Sequence, residues 1–106
     1  MDFSSSHFPF KGRVEWLAPE LGGRPSGPPP LTDGYAQVAY VLPHSATTGL
    51  ASFVLRKFDP NSMTSRAEGR WLFVEAINEQ SIEPGSVVVF CEGSRPVAHF
   101  RVDAVD

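Results

Sequence analysis

The segment FKGRVEWL, residues 10–17, sets Phe10, Gly12, Val14 and Trp16 against Lys11, Arg13 and Glu15. That is the period of a half-buried strand, with Trp16 facing the core. YAQVAYVL, residues 35–42, puts Val38, Tyr40 and Leu42 on one side, and LASFVLR, residues 50–56, groups Ala51, Phe53 and Leu55. Pro43 and the polar HSATTG between them read as a connection. In KFDPNSMTSRAEGR, residues 57–70, Asp59, Pro60 and Asn61 announce a turn, and with no helical apolar stripe behind them the segment reads as a loop. WLFVEAI, residues 71–77, is the next strand candidate, and the turn pair Pro84 and Gly85 leads into VVVFC.

The last two strands admit an internal check. With Cys91 opposite Pro96 and residues 92–95 as the turn, Val89 faces Ala98 and Val87 faces Phe100, an apolar face that Val102 and Ala104 extend. His99, Arg101 and Asp103 then point the other way. Six short strands separated by turn signals, with no convincing helix, predict an all-β fold: a small six-stranded antiparallel barrel, whose closure limits exposed edges.

The largest break in the pattern is ELGGRPSGPPPLTDGY, residues 20–35. Its composition permits a linker, but cutting there leaves an N-terminal piece of about 20 residues, too small to bury a core. A chain of 106 residues with 42% hydrophobic content suits one domain over 1–106, with a core at about 8–105 and the loop 18–34 inside it. The formal charge of -3 gives no long-range attraction to polyanions, although a local basic patch is compatible with it. One cysteine, Cys91, makes no internal disulfide and cannot build a zinc or iron-sulfur site by itself. The start MDFSSSHFPF is acidic and polar where a secretory signal is basic and then apolar, and no run has membrane-spanning length. The expectation is a cytoplasmic protein with no membrane partner.

These segments resemble the C-terminal barrel domain of bacterial translation elongation factor Tu. The likeness is carried by Gly22, Gly23 and Arg24, then Gly34 and Tyr35, then Thr48 and Gly49 in TTGLASFVL. It continues through the Pro-Gly of PGSVVVF and through Glu92, Gly93, Arg95 and Val97 in EGSRPVAHFRV. The sequence departs from the family at Thr47, Ser94, Pro25, Ser26, Ala36 and Gln37. The resemblance implies a barrel fold and a non-catalytic surface that meets tRNA and protein partners. On it, Arg24 and Glu92 match positions in or near the tRNA-facing loop. No Gly-x-x-x-x-Gly-Lys-Ser/Thr loop is present, so no nucleotide is expected.

Candidate chemistry is sparse. His7, His44 and His99 are far apart in the chain, so neither a metal nor another cofactor is expected. Cys91 and His99 fall on opposite faces in the register above, which argues against a thiol nucleophile with its base. Glu75, Glu79 and Glu83 are spaced by four but lie among turn signals. Glu92 reads as solvated. The expectation is a non-enzymatic module that binds a macromolecule, foremost an accessory or inhibitory protein that binds another protein. An RNA binder keeping part of the elongation-factor surface is the alternative. The partner-binding candidates are Arg24, Pro28, Pro29, Tyr35, Glu92 and Arg95. An arginine fork serves phosphate or carboxylate alike. SGPPPL favours an extended, protruding loop.

Overall fold

A computed structural model describes residues 7–30, 33–45, 47, 49–73 and 82–106. Six strands, β1 (Phe10–Trp16), β2 (Tyr35–Val41), β3 (Ala51–Arg56), β4 (Thr64–Trp71), β5 (Val87–Glu92) and β6 (Arg95–Val105), close into an antiparallel barrel in the order β1-β4-β3-β2-β5-β6. Closure leaves every strand paired on both sides. Among the described residues the only helical turn is a short 3-10 helix, Pro19–Leu21. None of those residues forms a helix long and apolar enough to cross a membrane.

The interior is aromatic. Phe53 on β3 is its hub, with ring centroids of Trp71 at 5.0 Å, Phe90 at 5.5 Å, Phe10 at 6.0 Å and Phe100 at 6.2 Å. Edge-on and offset contacts of this kind add to the burial of the rings. Val14 and Trp16 from β1 and Leu55 from β3 point inward, as the alternation predicts. On β2 the opposite parity is used: Tyr35, Ala39 and Val41 join the core. A smaller cluster sits outside, where Phe8 covers Val54 and the Arg56 guanidinium lies 3.8 Å from the Phe8 ring centroid.

Two expectations are corrected. Residues 57–70 are not all loop, because β4 begins at Thr64. Its inward positions are Ala67, Gly69 and Trp71, too small at the first two to register as an apolar stripe. The reason is packing: a Cβ on Gly69 would lie 2.4 Å from Phe53 Cε1 and 2.9 Å from Phe100 Cε2. The core rings occupy the room that a side chain would need. Of the strand expected at 71–77, Trp71 is the last residue of β4, Leu72 and Phe73 lie beyond it, and 74–77 lie outside the described residues.

The second correction is the register of the β5–β6 hairpin. Cys91 does pair with Pro96, but Phe90 then pairs with Ala98, Val89 with His99 and Val88 with Phe100. Val97 is the extra residue of a bulge, and both Val97 and Ala98 are buried in the core. This inverts the predicted parity of β5. Val88 and Phe90 face inward, and Cys91 lies on the outer face with Val38 opposite it. Cys91 and His99 thus share the outer face.

Candidate functional site

The stretch between β1 and β2, residues 17–34, lies at one end of the barrel, and each element of Gly-Gly-Arg has a local task there. The 3-10 turn ends at Gly22 in the left-handed region, φ 93°, with its N–H donating to the Pro19 carbonyl. Gly23 is buried against the turn: a Cβ there would lie 1.9 Å from the Leu17 carbonyl oxygen. Only glycine fits that approach. The chain then delivers Arg24 to the barrel mouth, where its Nε donates to the Gly27 carbonyl at 2.9 Å and its Nη1 to Glu92 Oε2.

Glu92 extends the inward parity of Val88 and Phe90 to the end of β5. Tyr35, at the start of β2, has the same inward orientation, and its hydroxyl donates to Glu92 Oε2 at 2.6 Å. The guanidinium carbon of Arg24 lies 5.9 Å from the Tyr35 ring centroid. One carboxylate oxygen therefore gathers a loop arginine and a strand tyrosine into one latch. Charge-assisted bonds of this type are stronger than neutral ones.

The electrostatics follow from this packing. Burial pushes the Glu92 carboxyl up, but hydrogen bonds from Tyr35 and Arg24, with the charges of Arg24 and Arg95, outweigh it and hold the group below the usual carboxylate range. The Tyr35 phenol is pushed well above its ordinary value, first by burial and then by its bond to the Glu92 carboxylate. Glu68 on β4 shows the same balance: burial raises it, while Lys11 and Arg56 donate to it at 2.9 Å and the charges of Lys11 and Lys57 bring it down.

Arg24, Tyr35 and Glu92 thus meet, although they are far apart in sequence. Glu92 is not simply solvated; its side chain keeps 23% of its exposure. Arg95 is exposed on the hairpin, and Pro25 and Ser26 are exposed beyond Arg24. The proline run does not protrude as expected. Pro29 is buried and Pro28 half-buried, so these two residues pack against the domain. The ladder also aligns arginines that the sequence offers as parts of a local positive surface, Arg13 and Arg101 among them. Arg13 pairs with Arg66 on one side and Arg101 on the other. Alternation alone assigns them to an outer face, but their alignment depends on the register of β1 against β4 and β6, which composition does not reveal.

Among the described residues, no three His, Cys, Asp or Glu side chains are grouped to hold a metal ion. His7 is exposed, and His44 and His99 are half-buried in separate places. Sharing a face with His99 does not activate Cys91, since burial pushes its thiol up, away from the thiolate form that attacks. Glu75 and Glu79 lie outside the described residues.

No protein-family model, curated protein sequence or solved structure matches the chain.

Proposed function

We propose that the chain is a non-catalytic binding module, an accessory or inhibitory protein that meets another protein through the barrel end opposite the latch. The observation that supports this is an apolar rim. Leu42 follows β2, Leu50 precedes β3, Phe73 follows β4 and Val105 ends β6, and antiparallel pairing brings all four to one end. Their exposures are 51%, 45%, 57% and 43%. Single exposed apolar residues are ordinary, but four on one rim form the kind of surface that partners cover.

The RNA alternative has less support at the residue expected to carry it. Two donors of Arg24 are engaged within the chain, and the Tyr35 ring is buried rather than offered for stacking. What remains of that reading is the outer-face arginines.

The test is capture from the native cell with the wild-type chain and with a Leu42→Glu/Phe73→Glu variant, each first shown to be folded by circular dichroism. A defined protein recovered by the wild type and lost by the variant supports the reading. Equal recovery by both moves the interface off the rim. RNA as the sole recovered species overturns the reading in favour of the alternative.

A further inference from the structure

Three arginines stand in one row across the outer face of β4, β1 and β6, because Arg66 pairs with Arg13 and Arg13 with Arg101. Neighbouring strands lie about 4.8 Å apart, so the row spans about 10 Å. Like charges directly opposite each other cost stability in a ladder. Arg66 has a compensating partner in Asp103, at 2.5 Å. Among the described residues, no ion pair or hydrogen bond engages the side chain of Arg13 or Arg101.

The same two arginines line a groove of about 240 Å³ together with His99, Thr64, Glu15 and Asp103. Drug-sized ligands occupy pockets of about 300 Å³ and more, so the groove suits a compact charged group. Its positive centre is bounded along both strands: Glu15 lies two residues beyond Arg13, and Asp103 two beyond Arg101. A polynucleotide needs a continuous basic track, which these carboxylates interrupt. A carboxylate ligand brings one negative charge to two arginines that make no ion pair among the described residues, whereas a phosphate monoester brings about 1.5 to 2.

We propose that this groove binds a phosphate monoester group. Arg13 and Arg101 present guanidinium forks to its oxygens from neighbouring strands, and the Thr64 hydroxyl and the His99 imidazole N–H provide further donors at the wall. The group belongs either to a free small molecule or to a phosphorylated side chain of a partner. This site is separate from the apolar rim, so failure of one leaves the other standing.

The experiment is a nitrogen-15 chemical-shift titration of the full chain with O-phosphoserine, a phosphoserine-containing decapeptide, acetate and a uridine decanucleotide. The expected result is saturable shifts around Arg13, His99 and Arg101 with both phosphoserine probes, and weaker effects with acetate. Equal affinity for the two probes assigns the site to a free monoester, and tighter peptide binding to a phosphorylated partner. Arg13→Gln and Arg101→Gln should each weaken binding about tenfold, the loss of one charge-assisted contact. Neither should lower the melting temperature, because each relieves a like-charge pair; should one fail to fold, the other gives the same readout. No saturation at about 10 mM O-phosphoserine, equal binding of acetate, or tighter, steeply salt-dependent binding of the oligonucleotide each overturns the proposal. Unchanged affinity in both folded variants does so as well.

Discussion

Arg24 and Glu92 are joined across 68 residues of chain, and this ion pair ties the longest loop between described strands to the end of β5. Both side chains keep less than a quarter of their exposure, so solvent screens the pair less than one on the open surface. Replacing Glu92 with Gln leaves Arg24 partly buried without its countercharge and weakens the bond from Tyr35. We expect a loss of about 1–3 kcal/mol. In a domain of this size that is a drop of about 4–8 °C in Tm for each kcal/mol. Thermal unfolding measures it. A double-mutant cycle with Arg24→Ala should return a coupling of at least about 0.5 kcal/mol, and zero coupling would show that the pair is a bystander.

The lowered carboxyls of Glu92 and Glu68 give stability a definite acid dependence. Their folded values lie below the ordinary 4.5, so in the window beneath it the unfolded chain binds more protons than the folded one. Stability is then full above the unfolded value and falls as the pH drops through the folded values. Denaturant midpoints measured between pH 6 and pH 3 should fall on the acid side, about the window set by carboxyl titration. Glu92→Gln should flatten that fall. An identical slope in wild type and variant would show that the latch is not titrating.

Tyr35 sets the alkaline limit in the same manner with the opposite sense. Its folded value is raised above the ordinary 10.0, so above that pH the unfolded chain loses the phenolic proton first. Its contribution is full below the unfolded value and declines as the pH rises beyond it. Spectrophotometric titration of the folded chain should show this tyrosine resisting ionisation until the chain unfolds. Tyr35→Phe should remove that resistance and flatten the alkaline loss of stability. If Tyr35 ionises in the folded chain near its ordinary value, the buried bond to Glu92 is wrong.

Where the sequence was legible, the reason is alternation. β1 sets Phe10, Val14 and Trp16 on one parity and β3 sets Phe53 and Leu55 on one parity, and the turn at Asp59–Asn61 shows the Asn61 N–H donating to Asp59 Oδ1 at 2.8 Å. β4 was hidden because its inward positions shrink to Ala67 and Gly69 beneath the rings of Phe53 and Phe100. A small-in, charged-out strand is visible only when its neighbours are known. β5 failed differently. VVVFC is apolar at every position, so its parity cannot be read from alternation, and the Val97 bulge then moved the pairing by one residue. The site inherits both features. Arg24 was legible as the loop's polar handle, but its partner Glu92 depended on the parity of β5.

The inverted parity of β5 also makes Cys91 a reporter of barrel opening. The thiol is 2% exposed on the outer face, opposite Val38 and close enough to Tyr40 that its charge would raise that phenol, and burial pushes the thiol itself up. At neutral pH it is therefore both shielded and protonated, whereas an aromatic disulfide reagent requires an accessible thiolate. Reaction should proceed only through local or global opening, at a rate set by the population of the open form. We expect labelling of the native chain to be at least about a hundredfold slower than in denaturant. Weakening the latch at the end of the same strand should close part of that gap, so Glu92→Gln should label faster than wild type in proportion to its loss of stability. Rapid labelling of the native wild type would place the thiol in solvent and refute the register of β5 against β2.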